Sequence, residues 1–205
     1  TAPMPVVLVT GQLLTADLWQ PMLGYLPQTL CHFADHQSDA DMASYAKRLL
    51  HDAPERFTLI GHAMGGFIAF EVMRQAPERV AKLVLISTLA SDDGPAQTAR
   101  RNHYIDLVES GQFPQVVEER IPMLFPPEKR GDEALLGLAR KMAQDTGAEI
   151  FLQQQRAIMA RPDSRPSLRQ ITCPTLLIWG NEDGITSRAH QDEIALMVSD
   201  ILPDG

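Results

Sequence analysis

Continuous apolar runs alternate with amphipathic segments over the first 90 residues of the chain, and the pattern returns after residue 170. An unbroken apolar run is typical of a strand that is buried on both faces of a parallel sheet. Parallel strands need crossover connections, and the amphipathic segments between the runs have helical spacing. The pattern therefore predicts an α/β fold with a mostly parallel sheet flanked by helices. The predicted strands span 5–10, 30–34, 57–60, 80–86 and 175–179.

The loops that follow successive strands of such a sheet open on one edge, where ligands bind. We therefore expect the loop at Gly11, the glycine-rich turn after the third strand and the loop after Gly180 to converge. The segment after the first strand predicts a helix with apolar residues from Leu18 to Leu26 on its inner stripe, and Thr15 or Asp17 as its N-cap.

The alternation stops between about residues 91 and 168, where one helical pattern follows another. A helical insertion between two strands of one sheet is best interpreted as a cap over the edge where ligands bind. Its aromatic and methionine side chains, together with Trp19, are candidates for either pocket lining or packing. The predicted cap helices span 97–109, 114–124, 132–146 and 148–159, and the candidate lining residues are Trp19, Phe113, Phe125, Phe151 and Met159.

The sequence thus divides into an N-terminal part of the core (1–90), a helical cap (91–168) and a C-terminal part of the core (169–205). Residues 202–205 form a turn that would normally lead into another strand, so we expect a C-terminal strand and helix to be missing. A sheet without its last strand has an open edge, through which the chain could form an oligomer.

The composition restricts the classes of partner and the compartment. The net charge of −8 argues against nucleic acid and against an acidic membrane surface. Apolar runs are also too short to cross a membrane. Cys31 and Cys173 resemble buried thiols more than a disulfide framework or a metal site, and a reducing, cytoplasmic setting fits them.

The third strand runs through a tight turn directly into a helix, in the stretch Phe57-Thr-Leu-Ile-Gly-His-Ala-Met-Gly-Gly66. This is the pattern of a nucleophile elbow, in which the apex residue is held above the carboxyl edge of the sheet. Gly61 and Gly65 flank the apex where a β-carbon would collide with neighbouring backbone. The apex is Ala63, which has no atom that can attack a substrate. For the adjacent His62 we expect a packing or supporting role.

Three stretches in this order resemble the α/β-hydrolase superfamily, specifically its capped esterase and lactonase-like branch. They are LIGHAMGG (59–66), RQAPERV (74–80) and PTLLIWGNED (174–183), and the resemblance covers nearly the whole chain. It implies the α/β-hydrolase fold and a catalytic triad in the chain order nucleophile, acid, histidine. It also implies a site that works without metal or organic cofactor.

Carried over by position, Ala63 occupies the nucleophile site and Asp183 the site of the triad acid. Glu182 is a neighbour of that acid, and Asp92 or Asp93 offers an alternative acid position. The triad histidine is expected beyond Gly205. None of the histidines present stands in its place, namely His32, His36, His51, His62, His103 and His190.

The family pattern assigns the oxyanion hole to the backbone N–H groups of Met64 and Gln12, each donor being worth roughly 3 to 4 kcal/mol of transition-state stabilisation. An alkoxide forms only if an imidazole takes the hydroxyl proton, and a carboxylate such as that of Asp183 fixes the imidazole tautomer. Arg100 and Arg101 are interpreted as a solvated helix face.

The resemblance implies hydrolysis of a small carboxylic ester or lactone through an acyl-enzyme, in a chain that is inactive because position 63 is Ala63. That alanine would replace a serine, although a cysteine or an aspartate could equally have stood there. One alternative is a naturally inactive, hydrolase-like receptor or interaction module. The other is a C–C bond hydrolase or a perhydrolase on the same fold.

Overall fold

The computed structural model describes residues 3–181 and 183–203 and contains a five-stranded, fully parallel sheet with the order β2-β1-β3-β4-β5. The predicted α/β class and the parallel sheet are confirmed. Each predicted strand is present, with ends that differ from the prediction by at most two residues. The strands are β1 (Val6–Val9), β2 (Cys31–Phe33), β3 (Phe57–His62), β4 (Val80–Ile86) and β5 (Thr175–Ile178).

Helices connect the strands, and the described residues between β4 and β5 contain only helices and loops. The four cap helices are α4 to α7, and each matches its predicted range to within two residues. The helices are α1 (Gln20–Leu23), α2 (Met42–Asp52), α3 (Met64–Gln75), α4 (Pro95–Glu109), α5 (Phe113–Leu124), α6 (Glu133–Thr146), α7 (Ala148–Ala160) and α8 (Arg188–Met197).

The first predicted helix is wrong in its extent. A 3₁₀ turn at Ala16–Trp19, capped by the Thr15 hydroxyl, precedes the single turn of α1. Pro21 explains the break because it has no N–H to donate to the carbonyl of Asp17, which a continuous α-helix would require. The Asp17 carbonyl instead accepts from the N–H of Gln20 in 3₁₀ geometry.

Core and cap have separate hydrophobic clusters. The main cluster lies on the face of the sheet that α2 and α3 cover, and includes Leu59, Phe70 and Leu83. A second cluster fills the interior of the cap around Phe151, and it includes Leu13 from the loop after β1. The cap therefore has its own packed interior, and it also packs against the loop after β1.

The chain returns to the sheet after α8. Ile201 forms a parallel bridge with Thr175 at the start of β5, so this segment lies at the edge that the sequence analysis expected to be open. None of the helices in the described part of the chain is long and apolar enough to cross a lipid bilayer.

The turn from β3 into α3 brings the helix very close to the sheet. A Cβ on Gly65 would lie 2.1 Å from the carbonyl oxygen of Val9 in β1, and one on Gly61 would lie 2.7 Å from the carbonyl oxygen of Gly65. Both distances are far below van der Waals contact. The glycines that the motif predicted as flanks of the apex are thus required by backbone packing.

Alanine substitutions at two helical glycines are expected to have opposite effects on stability. Gly65→Ala forces β1 and α3 apart and should lower the free energy of unfolding by about 3 kcal/mol. Gly137→Ala in α6 is the matched control, because nothing lies within 4 Å of its added Cβ, and it should raise stability by up to about 1 kcal/mol. Urea unfolding of both variants measures the difference, and equal effects would contradict the close approach.

Candidate active site

A cavity of about 910 Å³ lies between the carboxyl edge of the sheet and the cap. The loops after β1, β3, β4 and β5 all reach it, through Gln12, Ala63, Thr88 and Asp183 respectively. The structure therefore brings together the three loops that the sequence analysis expected to converge, and the cap helices form the opposite wall.

The apex residue Ala63 lies at this wall in a strained conformation, with φ 53° and ψ −116°. A non-glycine residue at positive φ costs roughly 1 to 3 kcal/mol and persists only where its surroundings fix it. Three hydrogen bonds do so here: the Ala63 N–H donates to the Ile86 carbonyl at 2.9 Å, and the Ala63 carbonyl accepts from the Gly66 N–H and the Thr88 hydroxyl at 2.9 and 2.8 Å.

The two predicted oxyanion donors lie on either side of the apex. Met64 is the first residue of α3, where N–H groups have no partner within the helix. Gln12 follows Gly11, on which an added Cβ would come within 3.1 Å of the Ala63 Cβ. The loop after β1 thus approaches the apex closely, and a side chain at position 11 would be in tight contact with Ala63.

The side chain of Gln12 is buried and ties this loop to the cap. Its Nε2 donates to Gln155 Oε1 in α7 at 2.8 Å, and its Oε1 accepts from Arg120 Nη1 in α5 at 2.8 Å. The neighbouring Leu13 N–H donates to Gln154 Oε1 at 3.4 Å. Two cap helices therefore fix the position of the Gln12 backbone.

Asp183 lines the cavity, and its carboxylate accepts hydrogen bonds from residues of its own loop. Oδ1 accepts from the N–H groups of Ile185 and Thr186 at 2.8 and 2.9 Å, and Oδ2 accepts from the Thr186 hydroxyl at 2.6 Å. These bonds fix the carboxylate in one orientation at the cavity wall. Glu182, the neighbour named above, lies outside the described residues.

The alternative acid Asp93 also lines the cavity, but it is engaged by two arginines. Arg101 Nε donates to its Oδ2, and Arg161 Nη1 to its Oδ1 at 2.9 Å. Burial alone would raise the pKa of Asp93, yet the bonds and charges of both guanidinium groups lower it. A carboxylate held by two cations is poorly placed to orient an imidazole. Asp92 is exposed.

His62 is the one histidine that lines the cavity within residues 3–181 and 183–203. Its ring packs edge-on against Trp19, with 6.2 Å between centroids, and its buried Nδ1 has no protein partner among those residues. Burial lowers the pKa of His62 to about 4, against a small opposing attraction from Asp183. The imidazole is therefore neutral at pH 7, and the packing with Trp19 agrees with the expected supporting role.

The sequence analysis found only part of the cavity wall. Phe125 lines the cavity. Phe113 and Phe151 pack instead in the cap cluster, and Trp19 packs in a third, small cluster with Leu8 and Ile60 of the sheet. The interpretation of Arg101 as solvated helix face is wrong, because it turns inward to pair with Asp93. Met159 is not one of the residues that line the cavity.

Arg120 was also missed, although the sequence carries a signal for it. It follows Val116 and Val117 by four and three residues and precedes Leu124 by four, so it lies on the buried stripe of α5. A charged residue on an apolar stripe is a candidate functional residue. In the described ranges, no group of three or more His, Cys, Asp or Glu side chains could hold a metal ion.

Comparisons with known proteins agree with this architecture. Residues 6–204 match the model of the alpha/beta hydrolase family. The chain is 29% identical to the "Putative carbamate hydrolase RutD" of Yersinia enterocolitica, a match covering 100% of this chain and 78% of that protein. It is also 29% identical to the pimeloyl-[acyl-carrier protein] methyl ester esterase of Legionella pneumophila, covering 89% and 77% of the two chains.

A solved structure with the same fold is that of a thermophilic esterase from Thermogutta terrifontis, bound to malate. The TM-score is 0.86 at 24% sequence identity, and the alignment covers 98% of this chain and 80% of that one. The predicted α/β-hydrolase fold is confirmed by this likeness together with the family match.

The depressed pKa of His62 predicts that stability falls as the solution is acidified. The unfolded chain takes up a proton near pH 6.5 and the folded chain only near pH 4, so stability is lost between these values, by about 3 kcal/mol for this residue. His36, whose pKa burial also lowers, acts in the same direction. Denaturant unfolding at pH 7 and pH 4.5 should show a smaller loss for His62→Gln than for the unsubstituted chain. An unchanged loss would contradict the assignment.

Proposed function

This chain belongs to the alpha/beta hydrolase family, and we propose that its cavity binds a small carboxylic ester or lactone in the geometry of serine-type acyl transfer, with Ala63 at the position of the nucleophile. The observation that carries the proposal is the strained apex at the cavity wall, between the Gln12 loop and the first turn of α3. Such a turn serves to hold one side chain out toward a substrate.

In the corresponding serine enzyme the hydroxyl oxygen at position 63 forms the bond to the acyl carbon, while an imidazole takes the hydroxyl proton. The N–H groups of Met64 and Gln12 stabilise the oxyanion. The imidazole then returns the proton to the departing alkoxide, and water releases the acid from the acyl-enzyme. Asp183 orients the imidazole, a role supported by the fixed orientation of its carboxylate at the cavity wall.

With Ala63 at the apex the chain binds its ligand without attacking it, because the methyl group supplies no nucleophile. We propose that it is a serine-to-alanine form of a cytoplasmic ester hydrolase. The same alanine favours a second candidate, a small-molecule receptor that has kept the hydrolase cavity. The two candidates differ in whether an oxygen atom at position 63 is sufficient to restore turnover.

Ala63→Ser in the full-length protein that carries this sequence should restore hydrolysis of p-nitrophenyl acetate or butyrate, by at least about a thousandfold over the unsubstituted protein. The added Oγ needs little rearrangement, because the Cβ and the strained backbone are already present. Release of p-nitrophenolate measures the rate, and circular dichroism checks that both proteins are folded.

Two further variants on the Ala63→Ser background test the role of the acid. Asp183→Asn should lower the restored rate by about a hundredfold or more. Asp52→Asn removes the same charge from the exposed end of α2 and should leave the rate unchanged. A folded Ala63→Ser protein that hydrolyses neither ester, nor lactones, carbamates or diketones, would contradict the enzyme proposal and favour the receptor.

A further inference from the structure

The wall of the cavity is strongly cationic, although the chain as a whole carries a net charge of −8. Five arginines line the cavity and only two aspartates do, within the described residues. The arginines are Arg100, Arg101, Arg120, Arg130 and Arg161, and the aspartates are Asp93 and Asp183. The excess of positive charge is concentrated where a substrate would bind, and it comes from the cap.

Two of the inner arginines already have a counter-ion. Asp93 bonds both Arg101 and Arg161, and Arg161 also donates to the carbonyls of Ile158 and Ser91 and stacks over the Phe67 ring at 4.1 Å. The cluster of Asp93, Arg101 and Arg161 has a structural role, because the arginines donate to protein acceptors. The cluster links α4, α7 and the loop after β4.

Arg120 differs from these two in its partners. No carboxylate oxygen in residues 3–181 and 183–203 lies within 4.0 Å of its guanidinium, and its one hydrogen bond goes to Gln12 Oε1 at 2.8 Å. Its guanidinium also lies 5.7 Å from the Phe151 ring centroid. Burial, and then the charge of Arg101, lower the pKa of Arg120 to about 10. A cation in this setting is costly unless an anion joins it.

Arg120 lines the cavity, and the protein leaves most of its donors unused. A guanidinium has five N–H groups in a planar fork that matches a carboxylate, and the protein uses one of them on Arg120. None of its nitrogen atoms is both fully buried and without a partner among the described residues. The unused donors are therefore accessible to a ligand in the cavity.

We propose that Arg120 binds a carboxylate group of the substrate, so that the cavity takes a half-ester of a small dicarboxylic acid, or the equivalent lactone acid. This inference rests on the proposed function, since the ester end is assigned to the apex at Ala63. Gln12 connects the two ends, because it follows Gly11, which lies beside the apex, and its side chain accepts a hydrogen bond from Arg120. Carboxylate binding at Arg120 is thereby coupled to the loop that holds the predicted oxyanion donor.

The rest of the lining fits a short hydrocarbon link between the two ends. Besides its arginines, the cap contributes a group of apolar side chains to the cavity, among them Met123, Phe125, Leu135, Leu138 and Met142. The predicted ligand is therefore polar at its two ends and apolar between them.

The test measures binding rather than turnover, and Ala63 makes this possible because bound ester stays intact. Isothermal titration calorimetry of the full-length protein should show that monomethyl glutarate or monomethyl adipate binds at least about tenfold more tightly than the neutral dimethyl ester. Arg120→Gln should abolish this preference. Lys129→Gln removes the same charge from the exposed surface of the cap and should leave it unchanged.

Arg120→Lys keeps the charge without the planar fork and should retain only part of the preference. Thermal unfolding identifies any variant that has lost its fold, and Arg120→Met provides a second test, since replacing a half-buried cation that has no counter-ion among the described residues by an apolar side chain should not lower stability. Equal affinity for half-ester and diester in the unsubstituted protein would overturn the inference, as would a preference that survives in folded Arg120→Gln or Arg120→Met.

This result is independent of the proposed reaction. Anion preference that depends on Arg120, in a protein whose Ala63→Ser variant hydrolyses no ester, would support the carboxylate site and contradict the enzyme. Ester turnover in Ala63→Ser without any anion preference would support the enzyme and overturn the carboxylate site.

Discussion

The close approach of α3 to β1 determines most of what this structure can do. The Gly65 backbone passes so near the Val9 carbonyl that no side chain fits between them, and this contact forces the chain to turn sharply after β3. Ala63 takes up that turn at positive φ and is fixed by bonds to the end of β4 and the loop beyond it. A position held so rigidly, at the edge where the parallel strands end, is suited to carry a reacting atom.

The second constraint is the attachment of the cap to the core. The cap has its own apolar interior, so it could pack without regard to the site. It is instead anchored to the loop after β1 by Gln154 and Gln155 from α7 and by Arg120 from α5, all of which bond the Gln12–Leu13 backbone or side chain. The geometry of the predicted oxyanion hole and the proposed carboxylate site at Arg120 therefore depend on the same few hydrogen bonds.

Local patterns in the sequence predicted the elements that local physics determines. The five strands followed from apolar runs, and the elbow followed from glycine spacing that only a tight turn requires. The first helix was wrong because its apolar stripe concealed Pro21, whose missing N–H interrupts the hydrogen bonding. The pairing of Arg101 with Asp93 depends on how the loop after β4 folds back on α4, and the partner of Arg120 is distant in sequence, so neither contact could be predicted from the local pattern. Arg120 and Gln12, for example, are 108 residues apart. The charge on the apolar stripe of α5 was the one local sign of such a contact.

The central claim is that position 63 is the nucleophile position of a serine-type site. Its most direct test is the intact mass and peptide map of the full-length protein after incubation with a p-nitrophenyl alkylphosphonate, which phosphonylates an activated serine. The account predicts stoichiometric labelling of the Ala63→Ser protein at residue 63 and none of the protein with Ala63. A folded Ala63→Ser protein that remains unlabelled, or that is labelled at another residue, would contradict it.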